Sequence, residues 1–467
     1  MRKHGVQGLL LVLFLGVAQV CAGQVKVPRL DFTDQRLDNG LRVIIAPDHG
    51  APVFSIAVTY NVGSRNERPG RTGFAHLFEH MMFQGSENVG KGEHFILILN
   101  NGGGMNGTTN EDRTNYFEEL PKNQLDLALF LEADRMRALA VNQANLDNQR
   151  NAVQEERRQG IDNQPYGKSE LELDNLAYDN FAYKHSTIGS MDDLDAASVS
   201  DVRDFFRIYY APNNAVVALV GDLDPQETLE KVKKYFGAIP SQPAPPKVDL
   251  AEPEHYGERR ELIYDSLARL PQLMIAYHIP RGDTPENFQV QVLASILGGG
   301  GGGGGGFGGG GFGGGQSSRF YQHLVKEKQL AVSIQTRAQE RIGPSLLGIT
   351  ATPRPGVKPE DLEKAIYDEI EAVQKDGVST QEMEKARTQY LRTQIQSRQS
   401  SLFTAIRLGQ YAVYFNDPDL INTSFDKFNA VTGEQVKQAA QKYLVTSGCT
   451  VVTTLPASAQ AKSVGGH

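Results

Sequence analysis

The segment Gly73–Met82 places three polar side chains on one face of an otherwise apolar helix. At about 100° per residue, His76, Glu79 and His80 share an arc of roughly 100°, and the apolar side chains occupy the opposite face. The segment contains no other charged residue, so the pattern predicts a buried helix. Burying even a neutral polar group without a partner costs about 2–7 kcal/mol. The chain must therefore fold so that these three groups meet a partner, such as a divalent metal ion.

The spacing H-x-x-E-H is typical of an inverted zincin. Histidines four positions apart on one helix face can hold Zn²⁺ with bonds of about 2.0–2.1 Å. A glutamate beside the second histidine can act as general base toward a metal-activated water. We therefore predict His76 and His80 as metal ligands and Glu79 as the catalytic residue. The remaining histidines that we considered lack such a pattern and are interpreted as ordinary core or surface residues: His49, His94, His185, His255, His278 and His323.

A third metal ligand is needed, because a catalytic zinc usually has three protein ligands and a water. The stretch Asn145–Gly160 is predicted to be a helix. Glu156 shares a face of this helix with Ala152 and Val153, whereas Glu155 falls among polar residues. Periodicity therefore favours Glu156 over Glu155 as the buried carboxylate. It does not show that Glu156 meets the two histidines.

The N-terminus has the pattern of a secretory signal peptide. Two basic residues precede the apolar stretch Leu9–Val20, and small residues follow at Cys21 and Ala22. We predict that residues 1–22 are a signal peptide and that the protein is exported, to the periplasm in a Gram-negative source. A membrane anchor is the alternative, and lipid attachment at Cys21 is disfavoured by the bulk of Val20. Cleavage would leave Cys449 as the only cysteine, which excludes an internal disulfide.

Composition narrows the possible partners. The formal net charge is −8, so the chain lacks the basic surface expected of a nucleic-acid-binding protein. The mature chain has no apolar run of about 20 residues, so we expect no membrane span after signal cleavage. The hydrophobic fraction of 40% is enough to build packed cores.

Two halves of similar size are predicted. Residues 241–254 are rich in proline and lack periodicity, which is typical of a linker. We predict an N-terminal zinc-binding peptidase domain at 23–240 and a C-terminal homologous domain at 255–460. The first half contains the strand-like runs Leu41–Ala46, Val53–Val62 and Ala215–Val220, and the second contains Gln272–His278 and Cys449–Thr454. A helical pattern, Pro225–Phe236, follows Ala215–Val220. Strands mixed with long helices indicate α+β or α/β domains.

A glycine tract at 298–315 interrupts the second half, broken only by Phe307 and Phe312. Low complexity predicts a flexible coil, with a substrate-contacting loop as the alternative. A phosphate-binding loop is disfavoured, because the tract contains no GxxxxGK[ST] pattern.

The motif and its surroundings resemble the pitrilysin-type (M16) zinc metallopeptidase family. Glu156 lies 76 positions after His80, a spacing similar to that of this family. Further similar segments are Gly63–Arg65 with Glu67, Met82–Gly85, Asn106–Thr109, Asp112–Thr114 with Tyr116, and Ser317–Phe320. The similarity covers essentially the whole mature chain, and the size resembles the half-length branch related to mitochondrial processing peptidase. It implies an α+β fold of two homologous domains, each a mixed sheet packed against helices. This LuxS/MPP-like metallohydrolase architecture forms half of a clamshell.

The resemblance also assigns roles to residues. It implies that His76, His80 and Glu156 bind one Zn²⁺ per chain and that Glu79 activates water. The segment Gly103–Asn110 resembles the family's edge strand, beside which an extended peptide adds through its backbone. This implies Gly104, Asn106 and Thr108 as substrate-binding residues, and an ordinary loop is the alternative for the last two.

The sequence departs from the family pattern at two places, one beside the expected metal ligands and one where substrate is expected to bind. Gln149 stands where the family often has a glutamate, so the support of the metal ligands is expected to differ. Val325 and Val332 stand where active single-chain relatives carry an arginine and a tyrosine that hydrogen-bond substrate. We therefore predict a heterodimer with a homologous chain that supplies Arg and Tyr, with a homodimer as the alternative.

The predicted function is a zinc-dependent endopeptidase of short or unfolded peptides. Two alternatives remain, a non-catalytic assembly subunit of an M16-like complex and a dedicated precursor-processing protease.

Overall fold

The computed structural model describes residues 27–253, 257–299 and 315–464. The predicted signal peptide, residues 1–22, lies outside the described residues, as do residues 300–314 of the glycine tract. Of the helices in the described part of the chain, none is both long enough and apolar enough to cross a bilayer.

The first half of the described chain builds a mixed sheet of six strands in the order β1-β2-β6-β3-β5-β4. Its strands are β1 (Thr33–Arg36), β2 (Arg42–Pro47), β3 (Val53–Tyr60), β4 (Gly104–Thr109), β5 (Thr114–Pro121) and β6 (Ala215–Gly221). Strands β2 and β6 are parallel, and the other neighbours are antiparallel. Strand β4 therefore lies at one edge of this sheet.

The second half builds a mixed sheet of five described strands in the order β7-β11-β8-β10-β9. These are β7 (Arg259–Asp265), β8 (Gln272–Ile279), β9 (Ala331–Ala338), β10 (Ser345–Pro353) and β11 (Thr450–Pro456). Only β7 and β11 are parallel. Apart from β1, the two sheets have the same strand order and directions, so the expected similar order of the two halves is confirmed. The limits of the two domains stay a prediction.

Helices surround both sheets. Those of the first half are α1 (Phe74–Met81), α2 (Glu93–Asn100), α3 (Leu125–Arg137), α4 (Gln143–Arg157), α5 (Gly167–Ala177), α6 (Phe181–Lys184), α7 (Met191–Asp195), α8 (Val199–Tyr209) and α9 (Pro225–Phe236). Those of the second half are α10 (Pro285–Gly298), α11 (Pro359–Asp376), α12 (Thr380–Arg398), α13 (Ser401–Phe415), α14 (Leu420–Ala430), α15 (Gly433–Tyr443) and α16 (Ala457–Val464).

The predicted strands and helices are confirmed, with small shifts at their ends. The run predicted at Val53–Val62 ends as a strand at Tyr60, and the run predicted at Cys449–Thr454 forms β11 one residue later. The predicted helix Asn145–Gly160 is α4, followed by a π-helical turn at Arg158–Asp162. Residues 241–253 contain no helix or strand, as expected of a linker.

Each half contributes a helix to the sheet of the other half. Helix α13 packs its buried side chains Ala405, Leu408 and Ala412 against apolar residues of the first sheet, including Ala57 and Ala218. Alternate residues of the first sheet face the opposite layer of helices, which forms the main core of the first half.

The reciprocal contact is made by α5 on the second sheet. The Ser169 hydroxyl lies 2.5 Å from that of Thr454 on β11, and both side chains are buried. Ala177, at the end of α5, belongs to a buried cluster with Ala276 of β8. Because each sheet is covered partly by the other half, neither half buries its apolar surface alone.

Candidate metal centre and active site

The start of helix α1 is anchored by a buried carboxylate. Glu67 accepts hydrogen bonds from the backbone N–H of Gly73 at 2.9 Å and of Ala75 at 2.7 Å. A third donor, Nε2 of His185, lies 2.9 Å from the same carboxylate. A negative group at a helix N-terminus is also favoured by the helix dipole. Gly73 has a φ of +84°, and a Cβ there would lie 2.6 Å from the carbonyl oxygen of Ile188, so a side chain is disfavoured at this position.

The apolar face of α1 is buried, as predicted. Phe78 packs against Phe205 and Tyr210, with ring centroids 5.5 and 4.2 Å apart. Leu77 and Met81 are completely buried. Aromatic packing on one side and Glu67 at the N-terminus together hold the opposite, polar face of α1 in place.

The structure brings His76, His80 and Glu156 together. Nε2 of His76 lies 3.6 Å from Oε1 of Glu156, and Nε2 of His80 lies 3.3 Å from Oε2. The two imidazole rings are arranged edge to face, with centroids 4.8 Å apart. Each of the three residues offers one potential ligand atom, and these three atoms all lie within 4.8 Å of one another.

These distances fit a divalent metal ion. Ligand atoms held tetrahedrally by bonds of about 2.1 Å are separated by roughly 3.4 Å, close to the two observed separations. Two nitrogen ligands and one carboxylate oxygen form a donor set that suits zinc. The donor set therefore fits a zinc ion with one coordination position left for a non-protein ligand.

The environment of Glu156 differs from the predicted one. Its side chain is 51% exposed, whereas those of His76 and His80 are 12% and 24% exposed. Val153 is buried as predicted, but Ala152, expected on the same inward face, is exposed. Periodicity did not predict the exposure of Glu156 and Ala152, because the last turn of α4 reaches the surface. There, only the side of Glu156 next to the imidazoles is covered.

Glu155 points away from this cluster. Its carboxylate accepts a hydrogen bond from Nε2 of Gln159 at 2.7 Å and pairs with Arg158 at 3.3 Å. The predicted supporting residue Gln149 lies next to the histidines, with its Oε1 3.3 Å from Nδ1 of His80. That contact leaves Nε2 of His80 directed at Glu156. Among the described residues, the buried Nδ1 of His76 has no hydrogen-bond partner.

The cluster shifts the pKa values of its members in different directions. Burial and the charge of His80 lower the pKa of His76 to about 4. Burial also acts to lower the pKa of His80, but its hydrogen bond to Glu156 and the nearby carboxylate charges raise it overall. The hydrogen bond from His80 and the charges of both histidines lower the pKa of Glu156. The carboxylate of Glu156 is therefore kept in the ionised form that a metal ligand requires.

Glu79 lies between this cluster and the edge strand β4. Its side chain is buried, and its Oε2 accepts a hydrogen bond from Oγ1 of Thr109 at 2.6 Å. A Cβ at Gly107 would lie 3.0 Å from Oε1 of Glu79 and 3.2 Å from the ring of Phe83. Glycine at this position therefore lets the strand approach the carboxylate closely. Burial raises the pKa of Glu79, partly offset by the Thr109 hydrogen bond.

The predicted substrate-binding residues lie on β4. This strand pairs with β5 on one side and, among the described residues, has no strand on the other. Gly104 and Asn106 are exposed. The Asn106 side chain accepts from the backbone N–H of Gly107 at 2.9 Å, and Thr108 accepts from Arg113 at 2.7 Å. Both side chains thus have local partners, and β4 is an edge strand of the described sheet.

The two valines that we expect in place of the family's Arg and Tyr, Val325 and Val332, lie in the second half. Val325 is 7% exposed and Val332, on the edge strand β9, is 50% exposed. Neither side chain can donate a hydrogen bond.

Comparison with known proteins identifies the relatives of this chain. Residues 42–190 match the family model described as Insulinase (Peptidase family M16), and residues 196–390 match the model described as Peptidase M16 inactive domain. The zinc protease PqqE of Helicobacter pylori is 28% identical over 447 residues, which are 95% of this chain and 97% of that protein.

Solved structures agree with these matches. A protease from Helicobacter pylori has a TM-score of 0.85 at 28% identity, covering 92% of this chain and 100% of that one. The periplasmic protease PqqL from Escherichia coli has a TM-score of 0.73 at 19% identity, covering 94% of this chain and 49% of PqqL. This chain therefore has the fold of about one half of PqqL.

A second buried polar cluster, missed by the sequence analysis, lies under β4 and β5. Nε2 of His94 on α2 lies 2.6 Å from Oε1 of Glu118. Glu132 and Arg135 on α3 form a fully buried ion pair beside them. Burial raises the pKa of Glu118 and of Glu132 to about 7. The i, i+3 spacing of Glu132 and Arg135 on α3 shows that the two can pair, but it indicates neither their burial nor their proximity to His94 and Glu118.

The geometry of this second cluster favours a structural role. Ligand atoms of His94, Glu118 and Glu132 lie within 4.8 Å of one another, which is close enough for a metal ion. However, the guanidinium of Arg135 already contacts both oxygens of Glu132. It also packs over the ring of Tyr116, at 4.4 Å from the centroid. A protein cation thus already compensates the charge of Glu132, and His94 keeps its interpretation as a core residue.

We expect Arg135→Leu to destabilise the protein by roughly 3–5 kcal/mol, because it leaves the buried Glu132 carboxylate without its cation. Arg207→Leu on α8 is the control, since Arg207 and its partner Asp204 are 69% and 60% exposed and such a surface pair is worth at most about 1 kcal/mol. Urea denaturation followed by circular dichroism measures both. Equal losses in the two variants would contradict a structural role for the buried pair.

Proposed function

Because the chain belongs to the M16 peptidase family, we propose that it is a zinc-dependent endopeptidase that hydrolyses short or unfolded peptides. The observation that carries the proposal is the convergence of His76, His80 and Glu156 at distances that suit zinc, with Glu79 beside them. Relatives named zinc proteases support the assignment. The proposed metal ligands are these two histidines and Glu156, with one zinc per chain.

Zinc bound there would act as a Lewis acid that polarises the scissile carbonyl and makes water more acidic. Glu79 then acts as the general base. Its Oε2 is held by Thr109, which leaves Oε1 to accept a proton from the attacking water and return it to the leaving nitrogen. A buried glutamate with a raised pKa is suited to both transfers near neutral pH. Gln149 keeps the ring of His80 oriented through Nδ1.

The open edge of β4 is the proposed peptide-binding element. A peptide that extends the sheet there pairs with the backbone of Gly104, Asn106 and Thr108. Residues 107 and 109 of the same strand face Glu79. A peptide held beside β4 therefore lies next to the catalytic carboxylate. Backbone pairing is common to all peptides, which favours broad substrates.

The proposed location is the periplasm, because the N-terminus has the pattern of a signal peptide and PqqL is a periplasmic protease. The chain spans 49% of PqqL, so we propose that it pairs with a second M16 unit. Val325 and Val332 favour a homologous partner that supplies the missing Arg and Tyr. A homodimer is the alternative arrangement.

A non-catalytic assembly subunit is the second candidate function. The match of residues 196–390 to the inactive-domain model favours it for the second half of the chain. The first half, however, contains the proposed metal ligands and the proposed general base, which favours the catalytic role. A dedicated precursor-processing protease differs from the main proposal only in substrate range.

The proposed metal ligand Glu156 is tested against its neighbour. Loss of a hydrogen bond that supports a metal ligand typically weakens metal affinity by roughly 10–100-fold. We expect Glu156→Gln to weaken the affinity for zinc by more than this, because it removes a ligand. Glu155→Gln should retain zinc, because that carboxylate contacts Gln159 and Arg158 instead. Zinc per chain after dialysis against a chelator, measured by mass spectrometry, gives the answer. Identical zinc contents in the two variants would contradict the proposed ligand set.

The catalytic role of Glu79 is tested separately from metal binding. We expect Glu79→Gln to keep its zinc but to lower kcat by at least about 10²-fold, because the amide cannot take a proton from water. Cleavage of a quenched fluorescent peptide measures kcat, and metal analysis of the same sample is the control. Full activity in this variant would refute the role of general base.

The partner proposal predicts that the purified chain alone cleaves peptides slowly. A missing transition-state donor typically costs about 10²–10³ in rate. Activity should rise when a homologous chain carrying the Arg and Tyr is added, together with a shift in mass by analytical ultracentrifugation. Cleaving a panel of unrelated peptides distinguishes broad hydrolysis from dedicated processing. Full activity of the chain alone would remove the reason for a heterodimer.

A further inference from the structure

The turn that follows the edge strand β4 is held by residues of the second half of the chain. The hydroxyl of Tyr414 on α13 lies 2.9 Å from Nδ2 and 3.1 Å from Oδ1 of Asn110. The backbone N–H of Ile342 donates to Oδ2 of Asp112 at 2.9 Å. Between them, Arg341 donates to Glu111 at 2.9 Å. Three consecutive residues of the turn are thus contacted from the second half.

Most of the residues that make these contacts are buried. Asp112 is 1% exposed, Arg341 is 4% exposed and Tyr414 is 6% exposed. Within the first half, Asp112 also accepts from Arg65 at 2.7 Å and from the Tyr183 hydroxyl at 2.9 Å. Leaving a buried polar group unsatisfied is unfavourable, so this network has little freedom to rearrange.

The turn itself is rigid. The backbone N–H of Asn110 donates to the carbonyl of Arg113 at 3.0 Å. Oδ1 of Asn110 accepts from the backbone N–H of Asp112 and of Arg113, both at 2.9 Å. A side chain that bonds to its own turn in this way fixes the local backbone. Whatever holds Asn110 therefore also holds the residue before it, Thr109.

Thr109 is the link to the catalytic carboxylate. Its hydroxyl donates to Oε2 of Glu79 at 2.6 Å. The carboxylate is confined on its other side by Gly107, where a Cβ would lie 3.0 Å from Oε1. One oxygen of Glu79 is thus held by a hydrogen bond, and the other is placed by the close approach of the strand.

We propose that the second half of the chain positions the general base: Tyr414 holds Asn110, and through Thr109 this contact fixes the carboxylate of Glu79. Thr109 and Tyr414 are positioning residues, and the inference rests on the proposed function of Glu79. It gives the second half a part in catalysis that requires none of its residues to touch the substrate.

The first test is a pair of substitutions at Thr109. Thr109→Val keeps the shape but removes the hydroxyl, and we expect kcat to fall by up to about 10²-fold with little change in KM. Thr109→Ser keeps a hydroxyl and should restore most of the rate. Zinc content and melting temperature should be the same in both variants. Equal kcat values in wild type and Thr109→Val would overturn the inference.

The second test asks whether Tyr414 acts through Thr109. Tyr414→Phe should lower kcat in the wild-type background and have no further effect in the Thr109→Val background. If the two residues act independently, the fall in kcat of the double variant equals the product of the two single falls within a factor of about two. That result would overturn the link. Tyr411→Phe is the matched control, because Tyr411 is a buried tyrosine on the same helix whose ring packs against Phe415 and the guanidinium of Arg407. It should leave kcat unchanged.

The structure of Thr109→Val separates this inference from the proposed function. A wild-type protein that hydrolyses no peptide, with or without a partner, contradicts the proposed function. In that case crystal structures of Thr109→Val and of Tyr414→Phe still decide the inference. A Glu79 carboxylate displaced from Gly107 in both variants supports it, and a carboxylate in its original place in either variant overturns it.

Discussion

The arrangement of the site depends on how helix α1 is docked. This short helix must bury an apolar face while it presents two imidazoles and a carboxylate beside the edge of a sheet. The aromatic packing around Phe78 satisfies the first requirement, and Glu67 at the N-terminus prevents the helix from sliding or rotating on that packing. With both anchors in place, His76, Glu79 and His80 have only one direction in which to point. The distances to Glu156 and Thr109 follow from this docking.

The two halves repeat one strand order but use it differently. In the first sheet, the connection from β3 to the edge strand β4 carries α1 with its H-x-x-E-H motif. In the second, the corresponding connection from β8 to β9 carries α10, which contains no histidine and is buried along nearly all its length. Among the described residues, α10 thus takes the place of the motif helix as part of a scaffold and lacks the H-x-x-E-H pattern. Because α13 covers the first sheet and α5 covers the second, the scaffold cannot be removed without exposing the core of the half that carries the site.

Local patterns in the sequence predicted much of this arrangement, and long-range contacts account for the rest. The period of apolar residues located α1 and α4, and the preference for Glu156 over Glu155 agrees with the side of α4 that faces the histidines. Periodicity shows which residues share a face of a helix, but it does not give the exposed fraction of a side chain. The half-exposed state of Glu156 was therefore not predicted. The roles of Thr109 and Tyr414 depend on partners 30 and 304 positions away in the chain, and no local pattern contains that information. The buried cluster around Arg135 was missed for the same reason, because His94 and Glu118 lie on different elements.

The uneven burial of the three proposed ligands bears on the need for a partner. The imidazoles are largely covered by the chain itself, whereas half of the Glu156 side chain faces solvent. Hydrogen bonds and charges act more strongly on a developing oxyanion when water is excluded. The isolated chain leaves the Glu156 side chain half exposed, and we propose that Val325 and Val332 leave its second half without the Arg and Tyr donors. In the proposed pair, a second unit that closes over Glu156 excludes water and brings the missing donors in the same step. In such a pair, one partner therefore supplies both the donors for the oxyanion and the cover over Glu156, while this chain supplies the proposed metal ligands.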